Sequence, residues 1–240
     1  MVAVRLRRSE TKLLRHRAAA RIKDLIWSGT YSPGMHLTET SLAEHLGISR
    51  GPIREALQDL VRQGLIVTIP NRGAFVVEWS VEDVIEVFSV RSVLEGLAAR
   101  IAVRRLPSTQ LISPLEHMID DMRDVARSDQ PLKLVNLEMA FHQTLARASG
   151  NKRLIRIHDD LSAQIKMLIA TAEIRLRLYH NLAEIAELHV PIVDALRSGD
   201  AEAAKREAEE HVRRAGERLI QRMLAGVGPV DLDQRTARPL

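Results

Sequence analysis

The chain has 240 residues, room for one large domain or two small ones, and its 35 Lys+Arg against 31 Asp+Glu give a formal net charge of +4. With 45% apolar and 28% charged residues it is too apolar for a disordered chain, and the lack of cysteine excludes disulfides, thiolate zinc sites, iron–sulfur clusters and cysteine nucleophiles. No apolar run approaches the ~20 residues of a membrane span. The basic stretch Met1 to Arg17 has no apolar core of a signal peptide behind it, so a cytoplasmic location with no membrane partner is expected.

Charge is uneven. Residues 1–79 hold 12 Lys+Arg and 7 Asp+Glu, whereas residues 80–240 hold 23 and 24. A basic first third on a near-neutral remainder points to an anionic partner for that third, with nucleic acid foremost and a merely solvated surface as the alternative.

In chain order, the first eight or so residues read as a mobile tail. Ala18 to Ser28 carries Ile22, Leu25 and Ile26 on one helical face. Ser41 to Leu46 is a short helix stopped by Gly47, and Ser49 caps a third helix whose first turn is Arg50, Gly51 and Pro52. That helix runs to about Gln63. Leu65 to Ile69 and Ala74 to Val77, broken by Pro70 to Gly73, form a β-hairpin wing. Residues 9–79 are therefore expected to be a winged helix-turn-helix domain.

The third helix separates its faces. Ile53, Leu57 and Leu60 should be buried, while Arg50, Arg54 and Gln58 should face out. Arginines in the first turns of a helix oppose its dipole, so a purely structural helix would prefer acids there. Helix-turn-helix proteins meet bases and phosphates at this place, and the guanidinium fork suits both. Arg72 at the wing tip could reach a phosphate or the minor groove. Otherwise these are surface arginines, with Glu55 as a local partner.

The segment Leu42 to Leu57 (LAEHLGISRGPIREAL), followed by Gly64-Leu-Ile and Asn71-Arg-Gly73, resembles the DNA-binding domain of GntR-family bacterial transcription regulators. The resemblance implies operator contacts from Arg50 and Arg54, with Ser49 at the helix start, and a contact from the wing at Arg72. A third family arginine just before the second helix is replaced by Thr40, which can still hydrogen-bond a phosphate.

Residues 80–225 read as an all-α antiparallel bundle, with residues 226–240 a mobile tail. Ser80-x-x-Asp83 and Ser113-x-x-Glu116 are capping-box patterns, the second with Pro114 at the first helical position. They predict helices over about 81–105 and 114–128. Further helices fit 132–149, 152–171, 173–197 and 201–224, with Ser198-Gly199-Asp200 as a turn.

Polar residues interrupt the apolar stripes of three of these helices. Glu138 and His142 lie between Leu134, Phe141 and Leu145; His189 lies between Ile185 and Ile192; His211 lies between Ala208 and Ala215. His189 and His211 are equally distant from Asp200. In an antiparallel hairpin both would stand about 16 Å from the turn, at one level. One carboxylate and three imidazoles converging inside a bundle would suit a divalent metal of the Zn, Ni or Mn class. Taken singly, each is as compatible with a satisfied core histidine, and Glu138 with an arginine pair. His158 reads as core or metal support. His36, His45, His117 and His180 read as surface or packing residues.

Glu138-Met-Ala-Phe-His142 with Ala148 to Asn151, Glu187-Leu-His189, the turn Ala195 to Asp200, and His211-Val resemble the FCD-type effector domain. The resemblance implies a divalent metal held by an acidic residue and three histidines, here Glu138, His142, His189 and His211, with Glu138 in place of the usual Asp. Pro191 could kink its helix. Arg91 breaks another apolar stripe. It either pairs with Glu95 one turn on or clamps an effector carboxylate, which the family's acidic effectors would suit.

The reading is a dimeric, ligand-responsive transcription regulator and not an enzyme. It is expected to act as a repressor on a palindromic double-stranded DNA operator, modulated by a small organic acid at the metal site. The alternatives are a metal-dependent enzyme carrying a DNA-binding-like domain, disfavoured because a di-iron bundle needs two Glu-x-x-His segments and the spacing here is a single Glu-x-x-x-His, and a regulator whose bundle only dimerises.

Overall fold

The computed structural model describes residues 2–105, 107–176 and 182–226. The N-terminal unit contains α1 (Val2–Trp27), β1 (His36–Leu37), α2 (Glu39–Leu46), α3 (Arg50–Arg62), β2 (Ile66–Ile69) and β3 (Gly73–Val76). β3 lies between β1 and β2 and is antiparallel to both, with Val67 opposite Phe75 and His36 opposite Phe75 on the other edge. The hairpin was expected and β1 was not, because two residues are too few for any alternation to register. α1 spans Val2–Trp27, so residues 2–8 belong to this helix instead of forming a tail.

One core unites the unit. Ile22 and Ile26 of α1, Leu42 of α2, Ile53 and Leu60 of α3, and Leu65, Ile66 and Val76 around the wing are all buried together. α2 packs on α3 through the tight turn at Gly47, whose φ of 63° is the left-handed conformation that glycine adopts without strain.

The remainder is helical among the described residues: α4 (Val81–Arg105), α5 (Ser108–Arg127), α6 (Pro131–Ala148), α7 (Lys152–Leu176), α8 (Leu182–Glu187), α9 (Val190–Ser198) and α10 (Ala201–Gly226). The start of α4 is a complete capping box. Ser80 N–H donates to Asp83 Oδ2 at 2.8 Å, and Asp83 N–H donates to Ser80 Oγ at 3.1 Å.

Two expectations are corrected. The pattern Ser113-x-x-Glu116 opens no helix: α5 starts at Ser108 and carries Pro114 internally. Leu111 and Ile112 precede Leu115, Ile119 and Met122 on one buried stripe, and that burial outweighs the hydrogen bond proline cannot donate. The helix expected over 173–197 is interrupted. α7 extends to Leu176, residues 177–181, including His180, lie outside the described set, and α8 ends before a turn at Leu188-His189. His189 is the N-cap of α9 and Pro191 lies in its first turn. The tail expected over 226–240 lies outside the described residues beyond Gly226.

α4 packs extensively along α10, and α7 packs against both. Val84 and Phe88 of α4, Val135 of α6, Ile165, Leu168 and Ile169 of α7, and Val212 and Leu219 of α10 make one core. The other face of α7 joins the N-terminal core. Met167 is fully buried against it, Lys166 Nζ stands 3.7 Å from the Trp27 ring centroid, and Gln164 lies against Gly64.

Candidate nucleic-acid interface and metal centre

Thr38 caps α2, its Oγ1 accepting from Ser41 N–H at 3.1 Å. The helix therefore begins two residues earlier than expected, which places the exposed Thr40 inside the first turn, among amides free to meet an anion. Ser49 caps α3 through its backbone while its hydroxyl makes no capping bond. Ser49, Arg50 and Arg54 are exposed, and Ile53, Leu57 and Leu60 are buried beneath them.

Arg54 is not bare. Glu39 takes its Nε at 2.6 Å and a terminal nitrogen at 2.7 Å. Glu55, the partner expected for the recognition-helix arginines, instead faces Arg15 of α1 at 3.8 Å. A groove of about 640 Å³ separates α3 from the wing, lined by Arg54, Gln58 and Arg62 on one side and His36, Thr68 and Gly73 on the other.

The wing turn places Asn71 at φ 61° and Gly73 at φ 96°, with Arg72 exposed between them. The Arg72 guanidinium stands 5.6 Å from the Phe75 ring centroid, and the His36 ring stacks on Phe75 at 4.7 Å. His36, read from sequence as a surface or packing residue, thus belongs to the groove wall. Only the strand pairing of β1 with β3 reveals this.

In the bundle the structure brings together three of the four residues singled out as metal ligands. One nitrogen from each of His142, His189 and His211 lies within 4.8 Å of the others, and the ring centroids of His189 and His211 are 4.4 Å apart. The buried Glu138 is not in that set; it lines the adjoining cavity with His142 and His211.

Two of the imidazoles are fixed by hydrogen bonds from Nδ1, and the third has a carboxylate beside it. His189 Nδ1 donates to Ile185 O at 2.9 Å. That carbonyl is available because the backbone N–H of His189 turns to Ala186 O instead. His211 Nδ1 donates to Leu188 O at 3.0 Å, a carbonyl exposed by the break between α8 and α9. His142 Nδ1 lies 2.5 Å from Glu95 Oε2, though off the axis of an aligned hydrogen bond. A carbonyl can only accept, so Nδ1 carries the proton in His189 and His211 and Nε2 keeps its lone pair.

His189 Nε2 is buried with no hydrogen-bond partner among the described residues. Burial first, then the neighbouring His142, pushes the His189 pKa down to about 3, and burial drives His211 well below its ordinary value. Neutral imidazoles with inward lone pairs are the ligating form. The three-imidazole donor set fits a divalent ion of the zinc or nickel kind.

Arg91 is buried and donates its Nε to Glu95 Oε1 at 2.6 Å, which is the i, i+4 pairing, while also lining the cavity. His158 Nε2 is 3.7 Å from the same carboxylate. Glu95 was visible from sequence only as a partner for Arg91; its contacts to His142 and His158 cross between helices and left no local pattern.

The description "FCD domain" matches residues 86–214, and "Bacterial regulatory proteins, gntR family" matches residues 14–76. The "Probable D-xylose utilization operon transcriptional repressor" of Paenarthrobacter nicotinovorans is 29% identical over 205 residues, 84% of this chain and 88% of its own length. The "Gluconate operon transcriptional repressor" of Bacillus subtilis is 25% identical, over 77% and 76% of the two chains. The structure of E. coli McbR/YncC shares the fold with a TM-score of 0.73 at 22% identity, covering 88% of this chain and 98% of that one.

A winged helix-turn-helix joined to this helical bundle defines a DNA-binding transcription regulator and not an enzyme. The chain belongs to the GntR family of bacterial regulatory proteins, in the group that carries an FCD domain. No helix among the described residues is long and apolar enough to cross a membrane.

Proposed function

We propose that this chain is a homodimeric repressor of a palindromic operator, modulated by a small organic acid that binds beside a divalent metal ion in the bundle. The observation that carries the reading is a shared cavity of about 950 Å³, lined by His142 and His211 of the histidine cluster together with Arg91 and Glu138. A carboxylate entering it meets cationic and metal-ligating groups at once, and Phe88, Ile169 and Leu219 supply apolar wall. When bound, the ion supplies a Lewis-acidic anchor for the acid's oxygens. Arg91 stands at the same cavity as a second cationic group.

For DNA, Arg54 and Arg50 on α3 read or clamp the operator, Thr40 and Ser49 offer hydroxyls and helix N-termini to phosphates, and Arg72 reaches from the wing. The relatives whose names call them operon repressors support repression as the sign of regulation. Dimer formation is supported by the outer face of α4, where Ile85, Val90, Val93 and Leu97 are exposed in one stripe. A second copy covers such a stripe through a two-fold axis, and two heads then match a two-fold operator.

The test is a thermal-shift screen of small organic acids on metal-loaded protein, followed by operator binding with and without any hit. A stabilising acid that changes operator affinity is expected, on the order of 1–3 kcal/mol of coupling. If no acid shifts the melting temperature or the operator affinity, the bundle is a dimerisation module and the effector reading is wrong.

A further inference from the structure

We propose that Glu95 is a positioning residue of the metal centre, the anionic support that fixes His142 as a ligand; this rests on the metal reading above. Glu95 is fully buried on α4, a helix that contributes none of the three clustered histidines. Its Oε2 touches His142 Nδ1 at 2.5 Å, and its Oε1 is held by Arg91 Nε at 2.6 Å. Oε1 is thus held by Arg91, and Oε2 lies against Nδ1, the ring nitrogen other than Nε2.

The guanidinium of Arg91, equally buried, donates to this carboxylate at 2.6 Å, so the group that faces His142 is the anionic half of a buried ion pair. An anion beside Nδ1 favours the proton on that nitrogen and leaves Nε2 as the donor lone pair. It also makes the imidazole a stronger base than a carbonyl partner does. His189 and His211 have only the carbonyls of Ile185 and Leu188. Among the contacts of the described residues, the one that meets His142 Nδ1 is a carboxylate, and it comes from another helix.

The assignment also gives Arg91 a second duty. Its guanidinium is the counter-charge that makes an ionised, buried Glu95 affordable, so Arg91 joins the cavity wall to the support of a ligand. A structural ion pair would do none of this. It would stabilise the fold and leave the metal affinity and the His142 tautomer alone.

Full-length protein is stripped with chelator and titrated with zinc against a chromophoric competitor. Histidine tautomers are read by ¹⁵N NMR of the same stripped samples. The variants are Glu95→Gln, and Arg91→Met/Glu95→Leu, which replaces the buried pair with apolar side chains and so avoids an orphaned charge. Zinc affinity should fall about 10- to 100-fold in both, and His142 should lose its preference for the Nδ1–H form. The double variant should recover the melting temperature of stripped protein without recovering zinc affinity. Wild-type zinc affinity and tautomer in the folded double variant would overturn the role of Glu95 while leaving the metal site standing. A wild-type protein that binds no zinc would overturn the metal site and this assignment together.

Discussion

Glu39 grips the guanidinium of Arg54 from one helix to the next, with Nε on Oε1 at 2.6 Å and a terminal nitrogen on Oε2 at 2.7 Å. If Arg54 reads the operator as proposed, it is oriented before DNA arrives, and its guanidinium fork is occupied by a carboxylate, an anion as a phosphate is. DNA must either leave this pair intact and use the remaining N–H groups or replace Glu39 outright. In both cases Glu39 disfavours loose, non-specific contacts, because an anion at that place repels the phosphate backbone.

Arg54→Ala should weaken operator binding about ten- to a hundredfold while leaving random DNA less affected. Glu39→Gln should do the reverse, tightening random DNA more than operator. Fluorescence anisotropy with both duplexes at one salt concentration measures the two. Specific binding retained by a folded Arg50→Ala/Arg54→Ala double variant would show that α3 does not read the operator.

The same pair fixes a pH dependence. The hydrogen bond from Arg54 lowers the Glu39 pKa below its ordinary 4.5. A depressed carboxyl stabilises the paired state above its unfolded pKa and loses that contribution as pH falls through the folded value. From pH 6 to 8 the ratio of Glu39→Gln to wild-type affinity should therefore stay constant. A ratio that drifts across that range would mean the carboxylate is not ionised in the free protein.

Arg72→Ala should weaken all duplexes alike and lower the slope of log affinity against log salt by about one, since a wing-tip guanidinium neutralises a phosphate without reading a base. Unequal losses between operator and random DNA would instead assign Arg72 to the minor-groove floor.

Purified protein should carry about one divalent ion per chain, and chelation should lower the melting temperature, because an ion that binds only the folded state stabilises it. His189→Ala and His211→Ala should each lose the ion while retaining effector-free operator binding, as read by metal analysis and anisotropy. Full occupancy in both would remove these histidines from the ligand set.

Val93→Glu, in the middle of the exposed α4 stripe, should convert a dimer to a monomer by light scattering and weaken operator binding. A variant that stays dimeric would move the interface to another face.

Much of the site was readable because its signals are periodic. His189 and His211 interrupt apolar stripes at matched distances from the Ser198 to Asp200 turn, and their rings do meet. Ser80 and Asp83 carry their cap in four residues. The break at His189 left a fainter trace, because Ile185, His189 and Ile192 stay buried across it and keep one stripe continuous. Pro191 was the one local sign. Glu95 escaped for the opposite reason: its decisive contact is to His142, on another helix, and no spacing along the chain encodes a meeting of that kind.

α7 belongs to two cores, burying Met167 against the DNA-binding unit while Ile165, Leu168 and Ile169 pack into the bundle. The DNA-binding unit is thus packed on the bundle through a shared helix. In the proposed two-fold assembly the separation of the two heads would be a fixed length, and the dimer would act as a calliper set to one half-site spacing. Inserting a few base pairs at the centre of the operator should abolish binding instead of being absorbed by slack. Since Ile169 also lines the cavity, the proposed ligand, by tilting this one helix, would reset the calliper's opening without touching a single DNA contact.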